Sequence, residues 1–351
     1  MAAFDGATWD LVVRQAAAAG VLGRLGALAV ETGIKPQIPA AVWRHMQAIL
    51  TIAEQQQRAV QWELVQLART LAELPGPILL LKGAAYAAAG VAPAAGRLFS
   101  DIDLLVPKCQ IDAAESALML GGWNSAHHDA YDQRYYRQWM HELPPMRHIR
   151  RQTVLDLHHN ILPETARLRT DPAAIIANAR PLPSHPRFSI PCPTDLVLHS
   201  ATHLFHEGEW QHGLRDIADL DALLRHYGPH AGFWEALLQR AAQLGLGRPL
   251  FYALRYSQRL LATPLPDTVL LNCPAKPTPW RARAMDLFFL PAFGTAHASC
   301  RTVLSGPAAF GLYVRSHWLR MPLALLLPHL ARKFWLDHRP EPAMDPPPAE
   351  K

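Results

Sequence analysis

Apolar residues recur at helical spacing through residues 7–31, an Ala/Leu-rich stretch ending near Gly33, and predict a helix there. After Pro36 and Pro39, the stripe Trp43, Met46, Ile49, Leu50 and Ala53 is followed by Trp62, Val65 and Leu67 on a later one. That pattern predicts one long helix or two from Ile38 to about Leu74, stopped by Glu73-Leu74-Pro75-Gly76, with the tryptophans as packing residues. The period then changes. Ile78 to Leu81 is a short continuous apolar run, and an Ala-rich segment interrupted by Gly90, Pro93 and Gly96 leads to Asp101-Ile102-Asp103-Leu104-Leu105-Val106. Short apolar runs bounded by Gly and Pro predict buried strands, with room for a short helix between them. A helix at about 110–120, ended by Gly121-Gly122, and a strand over 153–161 follow.

Beyond this point the prolines at 181, 183, 186, 191 and 193 read as a linker. Thr194 then caps a helix at about 195–207, and helices continue at about 213–227, 231–244 and 248–262. Pro264 to Pro279 reads as a loop, and the chain stays helical with breaks to Leu336. Residues 338–351, with five prolines, read as a disordered tail. The expected organisation is a helical region over 1–75, a catalytic core over 76–190, a helical domain over 191–337 and the tail over 338–351. In class this is α+β, a mixed sheet with flanking helices and a mostly α-helical C-terminal region.

Composition narrows this little. The 351 residues carry a net charge of +5, which suits an anionic substrate, nucleic acid or an anionic membrane surface and selects none of them. Cys109, Cys192, Cys273 and Cys300 are too scattered for a zinc ribbon or a disulfide framework. The start of the chain has Asp5 and Asp10 and no basic segment leading into an apolar one, and no run approaches the ~18 apolar residues of a membrane helix. A cytoplasmic location is the simplest expectation.

Asp101 and Asp103 are the unusual residues. Aspartate is disfavoured in strands, and an unpaired buried carboxylate is costly. Residues i and i+2 point the same way about 6.6 Å apart. The pair is therefore placed to share a cation, unless Asp101 merely ends the strand and Asp103 is a solvated edge residue.

Taken together, Lys82-Gly83, Arg97 and Asp101-Ile102-Asp103-Leu104-Leu105-Val106 resemble the nucleotide-binding core of the polymerase-β-like nucleotidyltransferase superfamily. The signature is most similar to a family of uncharacterised bacterial nucleotidyltransferases. The resemblance is specific over residues 78–106 and looser to about residue 226. It implies a nucleotidyltransferase-like mixed sheet in which the glycine ending the first strand opens a helix facing the nucleotide phosphates. It also implies that Asp101, Asp103 and a third carboxylate from a later strand bind two Mg²⁺ ions, with Mn²⁺ as a substitute. Asp156 in Thr153-Val154-Leu155-Asp156-Leu157-His158-His159 fits the third place, with Val154 and His158 on its face. Lys82, Gly83, Ala84 and Arg97 take the nucleotide-binding positions. The sequence departs from the superfamily in having Ala84 where Ser or Gly is usual, and in the long separation of Gly83 from Asp101. The implied reaction transfers a nucleoside monophosphate from a nucleoside triphosphate to a hydroxyl acceptor, identified neither as to acceptor nor as to base.

Other features carry rival readings. His199, His203 and His206 share a helix face at i, i+4, i+7, which suits packing and lining of the cleft ahead of a zinc-dependent hydrolase, since no Glu follows His199 as in His-Glu-x-x-His. The His/Tyr/Arg-rich segment His127 to His148 suits phosphate contacts or a solvated surface. By the resemblance, Arg215, Asp216 and Asp219 flank the nucleotide cleft. The basic, apolar piece Tyr313 to Trp335, broken by Pro322 and Pro328, suits peripheral membrane contact or an ordinary domain helix. A catalytically inactive nucleotide-binding scaffold on the same fold is the remaining alternative. No motif specifies nucleic acid or an oligomeric state.

Overall fold

The computed structural model describes residues 4–125, 130–207, 210–294 and 296–328. In chain order the elements are α1 (Gly6–Ala18), α2 (Leu22–Glu31), α3 (Ala40–Thr70), β1 (Ile78–Leu80), α4 (Lys82–Ala89), β2 (Ile102–Leu105), α5 (Ile111–Leu120), β3 (Trp123–Ser125), α6 (Ala130–Trp139), β4 (Met146–His148) and β5 (Val154–His158). They continue with α7 (Pro172–Ala177), β6 (Arg180–Pro181), β7 (Phe188–Ile190), α8 (Pro193–Thr202), α9 (Gly213–Tyr227), α10 (Phe233–Gln243), α11 (Gly247–Leu261), α12 (Asp267–Leu271), α13 (Pro279–Phe293) and α14 (Ser305–Arg320).

The strands form one mixed sheet in the order β3-β4-β5-β2-β1-β7-β6. β1 runs antiparallel to β2 and parallel to β7, while β2 runs parallel to β5. The central strands β1 and β2 are buried throughout, which is why, Asp103 apart, their residues are apolar rather than alternating. One buried apolar cluster extends from the sheet into α8–α11, through residues such as Leu79, Leu104, Leu157, Leu198, Leu220 and Leu254. The predicted α+β class with helical flanks is what the chain adopts.

Three local expectations change. The stretch 7–31 forms two helices, because Gly20 takes φ +70° and the chain bends by 115° between α1 and α2. The proline-rich passage expected as a linker carries β6 and β7, and β7 joins the sheet beside β1. Pro181 sits in the terminal strand β6, where its missing N–H disrupts no inner ladder. The expected loop between Pro264 and Pro279 contains the short helix α12. The part of the basic C-terminal piece beyond residue 328, and the tail, lie outside the described residues.

α3 is a single helix of 31 residues, and its polar face has structural work to do. Gln57 Nε2 donates to Ala94 O (2.6 Å), Gln61 Nε2 to Ala87 O (3.0 Å), and the Phe99 N–H donates to Gln56 Oε1 (2.8 Å). These bonds satisfy backbone groups of the β1–β2 crossover that no regular element would pair. α2 approaches the same crossover so closely that a Cβ on Gly23 would lie 2.2 Å from Gly96 O. The N-terminal helices thus hold the loop that carries Arg97. Among the described residues no single helix is long and apolar enough to cross a membrane. In α14, Arg315 turns inward, donates to Phe205 O at 2.7 Å and packs against Tyr252 and Phe289, as an ordinary domain helix would place it.

Candidate active site

The parallel pairing of β2 with β5 sets Asp103 directly beside Asp156. Asp101 precedes β2 by one residue and shares the face of Asp103 by the two-residue period of an extended chain. On the other side of β2, the Leu81 N–H donates to Asp103 O at 3.0 Å, extending the β1 ladder to the start of α4. Lys82 therefore emerges next to Asp103, and its Nζ lies 3.0 Å from Asp103 Oδ1. Lys82 adopts φ +43°, a left-handed conformation that costs a non-glycine residue about 1–3 kcal/mol. Such outliers concentrate at working sites.

Asp103 is almost fully buried, and its Oδ1 also accepts a hydrogen bond from His158 Nε2 at 3.0 Å. Burial alone would raise its pKa, but Lys82 and His158 outweigh that and hold the carboxyl well below the usual range. Asp156 goes the other way. Burial first, and then the Asp103 charge, push it up to about 7. Its Oδ1 is buried without a hydrogen-bond partner.

These residues open on a cleft of about 320 Å³ between the sheet and α8–α9. Arg97 crosses it. Its Nε donates to Asp219 Oδ2 on α9 at 2.7 Å, and its guanidinium lies over Tyr86 and Phe99. Burial opposes its charge, yet Asp219 keeps Arg97 above its ordinary pKa, while burial raises Asp219. Gly83 makes this approach achievable, since a Cβ there would lie 2.5 Å from Arg97 Nη1 and 2.6 Å from Phe99 Cδ1. Arg215 pairs with Asp216 at 2.9 Å along the same wall.

The cleft is lined by Asp101, Asp103, Glu142, Asp156, Asp216 and Asp219 against Lys82, Arg97 and Arg215. With carboxylates outnumbering fixed cations, a polyanion gains little from this cleft unless it brings cations with it. The unpartnered Asp156 Oδ1, the adjoining Asp103 and the all-oxygen donor set fit a hard divalent ion such as Mg²⁺.

Of the residues singled out from sequence, Asp101, Asp103, Asp156, Lys82, Gly83 and Arg97 come together here. Ala84 does not line the cleft; its side chain is fully buried, where a hydroxyl would need a partner. The histidine face of α8 is split. The helix ends at Thr202, and a π-turn over His203–Glu207 takes the following residues off regular spacing. His199 is buried near Lys82 and Asp103 and held neutral, chiefly by burial; His203 lies on the cleft wall; His206 is buried. The group with metal-ligand spacing among the described residues is instead His141, Glu142 and His158.

Glu142 is the main residue that sequence reading missed. It lines the cleft and places Oε2 at 3.2 Å from His158 Nδ1. The signal available was its place in His141-Glu142-Leu143-Pro144, a carboxylate next to a histidine in a segment without periodicity. Two other residues of the His/Tyr/Arg-rich stretch point away from the cleft. Arg137 binds Glu115, and His148 packs edge-on against Trp123, while His127 and His128 lie outside the described residues.

Comparison with curated proteins yields no match. A family model described as an uncharacterised nucleotidyltransferase matches residues 5–262, which takes in the N-terminal helices, the sheet, the whole cleft and α8–α11. The chain belongs to that nucleotidyltransferase family.

Proposed function

We propose that the protein uses a divalent metal, Mg²⁺ or Mn²⁺, to transfer a nucleoside monophosphate from a nucleoside triphosphate to a hydroxyl acceptor. The observation that carries this reading is the register of β2 on β5, which sets Asp103 beside Asp156 with an unpartnered buried oxygen on the latter. Asp101, Asp103 and Asp156 are the residues that would hold the metal. When bound, such ions neutralise triphosphate charge and acidify an acceptor hydroxyl.

The chain's own groups divide the remaining work. The N-terminus of α4 borders the cleft at Lys82 and Gly83 and favours phosphate oxygens. Lys82 stands at the same place as a cation for the developing charge. Asp156, beside the metal that acidifies the acceptor, is the carboxylate suited to accept the proton of the attacking hydroxyl. The acceptor oxygen bonds to the α-phosphorus, the bond to pyrophosphate breaks, and the electron pair leaves with pyrophosphate.

The test is incubation of the protein with each of the four α-³²P-labelled nucleoside triphosphates, Mg²⁺ and cell lysate. An Asp101→Ala/Asp103→Ala variant runs alongside. Label appearing on a lysate component only with the intact pair supports the reading. No label, together with no Mg²⁺-dependent triphosphate binding by the purified protein, defeats it in favour of an inactive scaffold.

A further inference from the structure

His141 and Glu142 lie where the chain doubles back against the end of β5. The Leu143 N–H donates to Leu157 O and the His159 N–H to His141 O, each at 2.9 Å, and Glu142 bridges to His158. This backbone pairing fixes the two side chains over the His158 ring. His141 and His158 are buried, with ring centroids 5.4 Å apart, and Glu142 is partly open to the cleft.

His158 Nε2 is engaged with Asp103 Oδ1 at 3.0 Å. On the other side of the ring, His158 Nδ1 is buried without a hydrogen-bond partner. That atom is 3.2 Å from Glu142 Oε2, but no hydrogen bond of acceptable geometry joins them. A buried ring nitrogen without a partner is costly, and a cation shared with the adjacent carboxylate oxygen offsets that cost. His141 Nε2 stands 4.0 Å from the same Glu142 oxygen. All three ligand atoms fall within 4.8 Å of one another.

We infer that His141, Glu142 and His158 bind a divalent transition-metal ion, of the Zn²⁺ or Mn²⁺ class, through His158 Nδ1, Glu142 Oε2 and a ring nitrogen of His141. Two imidazoles and one carboxylate select such ions over Mg²⁺, which requires an oxygen shell. Ligand atoms around an ion with bonds of about 2.0–2.2 Å stand about 3.0–3.5 Å apart. The His158–Glu142 separation already meets that requirement. A ligating histidine characteristically donates its other N–H to a carboxylate, which is the His158–Asp103 bond observed here. The ion lies beside the Asp101/Asp103/Asp156 cluster rather than in it, and its role is positional. It holds the His158 proton on Nε2 and so orients Asp103.

The full-length protein, stripped with chelator, is titrated with Co²⁺ and followed by visible d–d absorption; metal content after dialysis against Zn²⁺ is measured in parallel. The expected stoichiometry is one ion per chain, with affinity falling at least ~10-fold in both Glu142→Gln and His141→Ala and by ~10–100-fold in Asp103→Asn. Glu142→Gln is isosteric and keeps the test meaningful if His141→Ala fails to fold. An Asp101→Asn/Asp156→Asn variant retains the ion, which separates this site from the one used for transfer. Three results overturn the inference: no Co²⁺ absorption by the wild type, affinity unchanged in Glu142→Gln, or loss of the ion in Asp101→Asn/Asp156→Asn. The first would make His158 an imidazolium paired with both carboxylates.

Discussion

Asp219→Asn tests whether the cleft is held closed by one buried ion pair. Arg97 rides on the β1–β2 crossover and Asp219 on α9, so their contact ties the sheet to the helical wall. Both side chains are about a tenth exposed, and at 2.7 Å their Coulomb attraction is about 6 kcal/mol for an effective dielectric of about 20. Desolvation offsets much of this, but removing only the carboxylate strands a guanidinium that cannot lose its proton, at a cost of about 3–5 kcal/mol. Spread over 351 residues at about 2.1 cal/mol/K each, the middle of that range lowers the melting temperature by about 5 °C. Arg97→Leu should cost less, because Asp219, already raised by burial, can take up a proton; that cost should shrink further as pH falls. The double variant Arg97→Leu/Asp219→Asn should be more stable than Asp219→Asn, because it leaves no stranded guanidinium. Urea and thermal unfolding of the four proteins at two pH values measures all three relations. Strictly additive effects, or a cost below about 1 kcal/mol for Asp219→Asn, would refute the reasoning.

Gly83→Ala should destabilise by about 1–3 kcal/mol and displace Arg97, because its Cβ would fall 2.5 Å from Nη1; unfolding by urea reads the first effect and a crystal structure the second. Lys82→Met and Lys82→Gly both remove the Asp103 partner, but only glycine relieves the φ of +43°, so the glycine variant should be the more stable by about 1 kcal/mol in the same assay. Chelation should abolish nucleotidyl transfer, with Mg²⁺ restoring it in the wild type but not in Asp156→Asn, as read by label transfer. Burial, with Lys108 nearby, pushes His159 down to about 4. The unfolded chain then binds the extra proton between that value and about 6.5, so stability is full above about pH 6.5 and falls towards pH 4 by about 2 kcal/mol. Denaturation midpoints across that range, flattened in His159→Gln, check the sign.

How much was legible in the chain depended on how locally each feature is specified. β1 and β2 were readable because strands buried on both faces are mostly apolar and Gly and Pro mark their ends, while β5 alternates Leu155 and Leu157 with Asp156 and His158. The carboxylates stood out because Asp in such a run is costly without a purpose. What spacing rules do not reach is pairing over long separations: Arg97 with Asp219 is a contact across 122 residues, and Lys82 meets Asp103 only through the antiparallel register of β1 on β2. The break at Gly20 was missed because one glycine inside an apolar-periodic stretch is tolerated by many helices, and only its φ of +70° makes it a corner. β6 and β7 were hidden by prolines, which normally argue against strands, and are accommodated at the sheet's end.

The same distinction explains why the α8 histidines do not form one ligand face and why Glu142 was overlooked. Regular i, i+4, i+7 spacing projects to one face only while the helix stays α-helical, and the π-turn at His203–Glu207 removes that condition. Glu142 has no periodicity to announce it, yet backbone pairing with the end of β5 places it against His158 as firmly as a strand would. Asp103 is the point where these constraints meet, because Lys82 and His158 both bind its Oδ1, and each arrives through a different neighbouring strand. A buried carboxylate with two donors on a single oxygen is oriented by the sheet itself. Changes in the register of β1 or β5 should therefore disturb the site more than substitutions along its open rim.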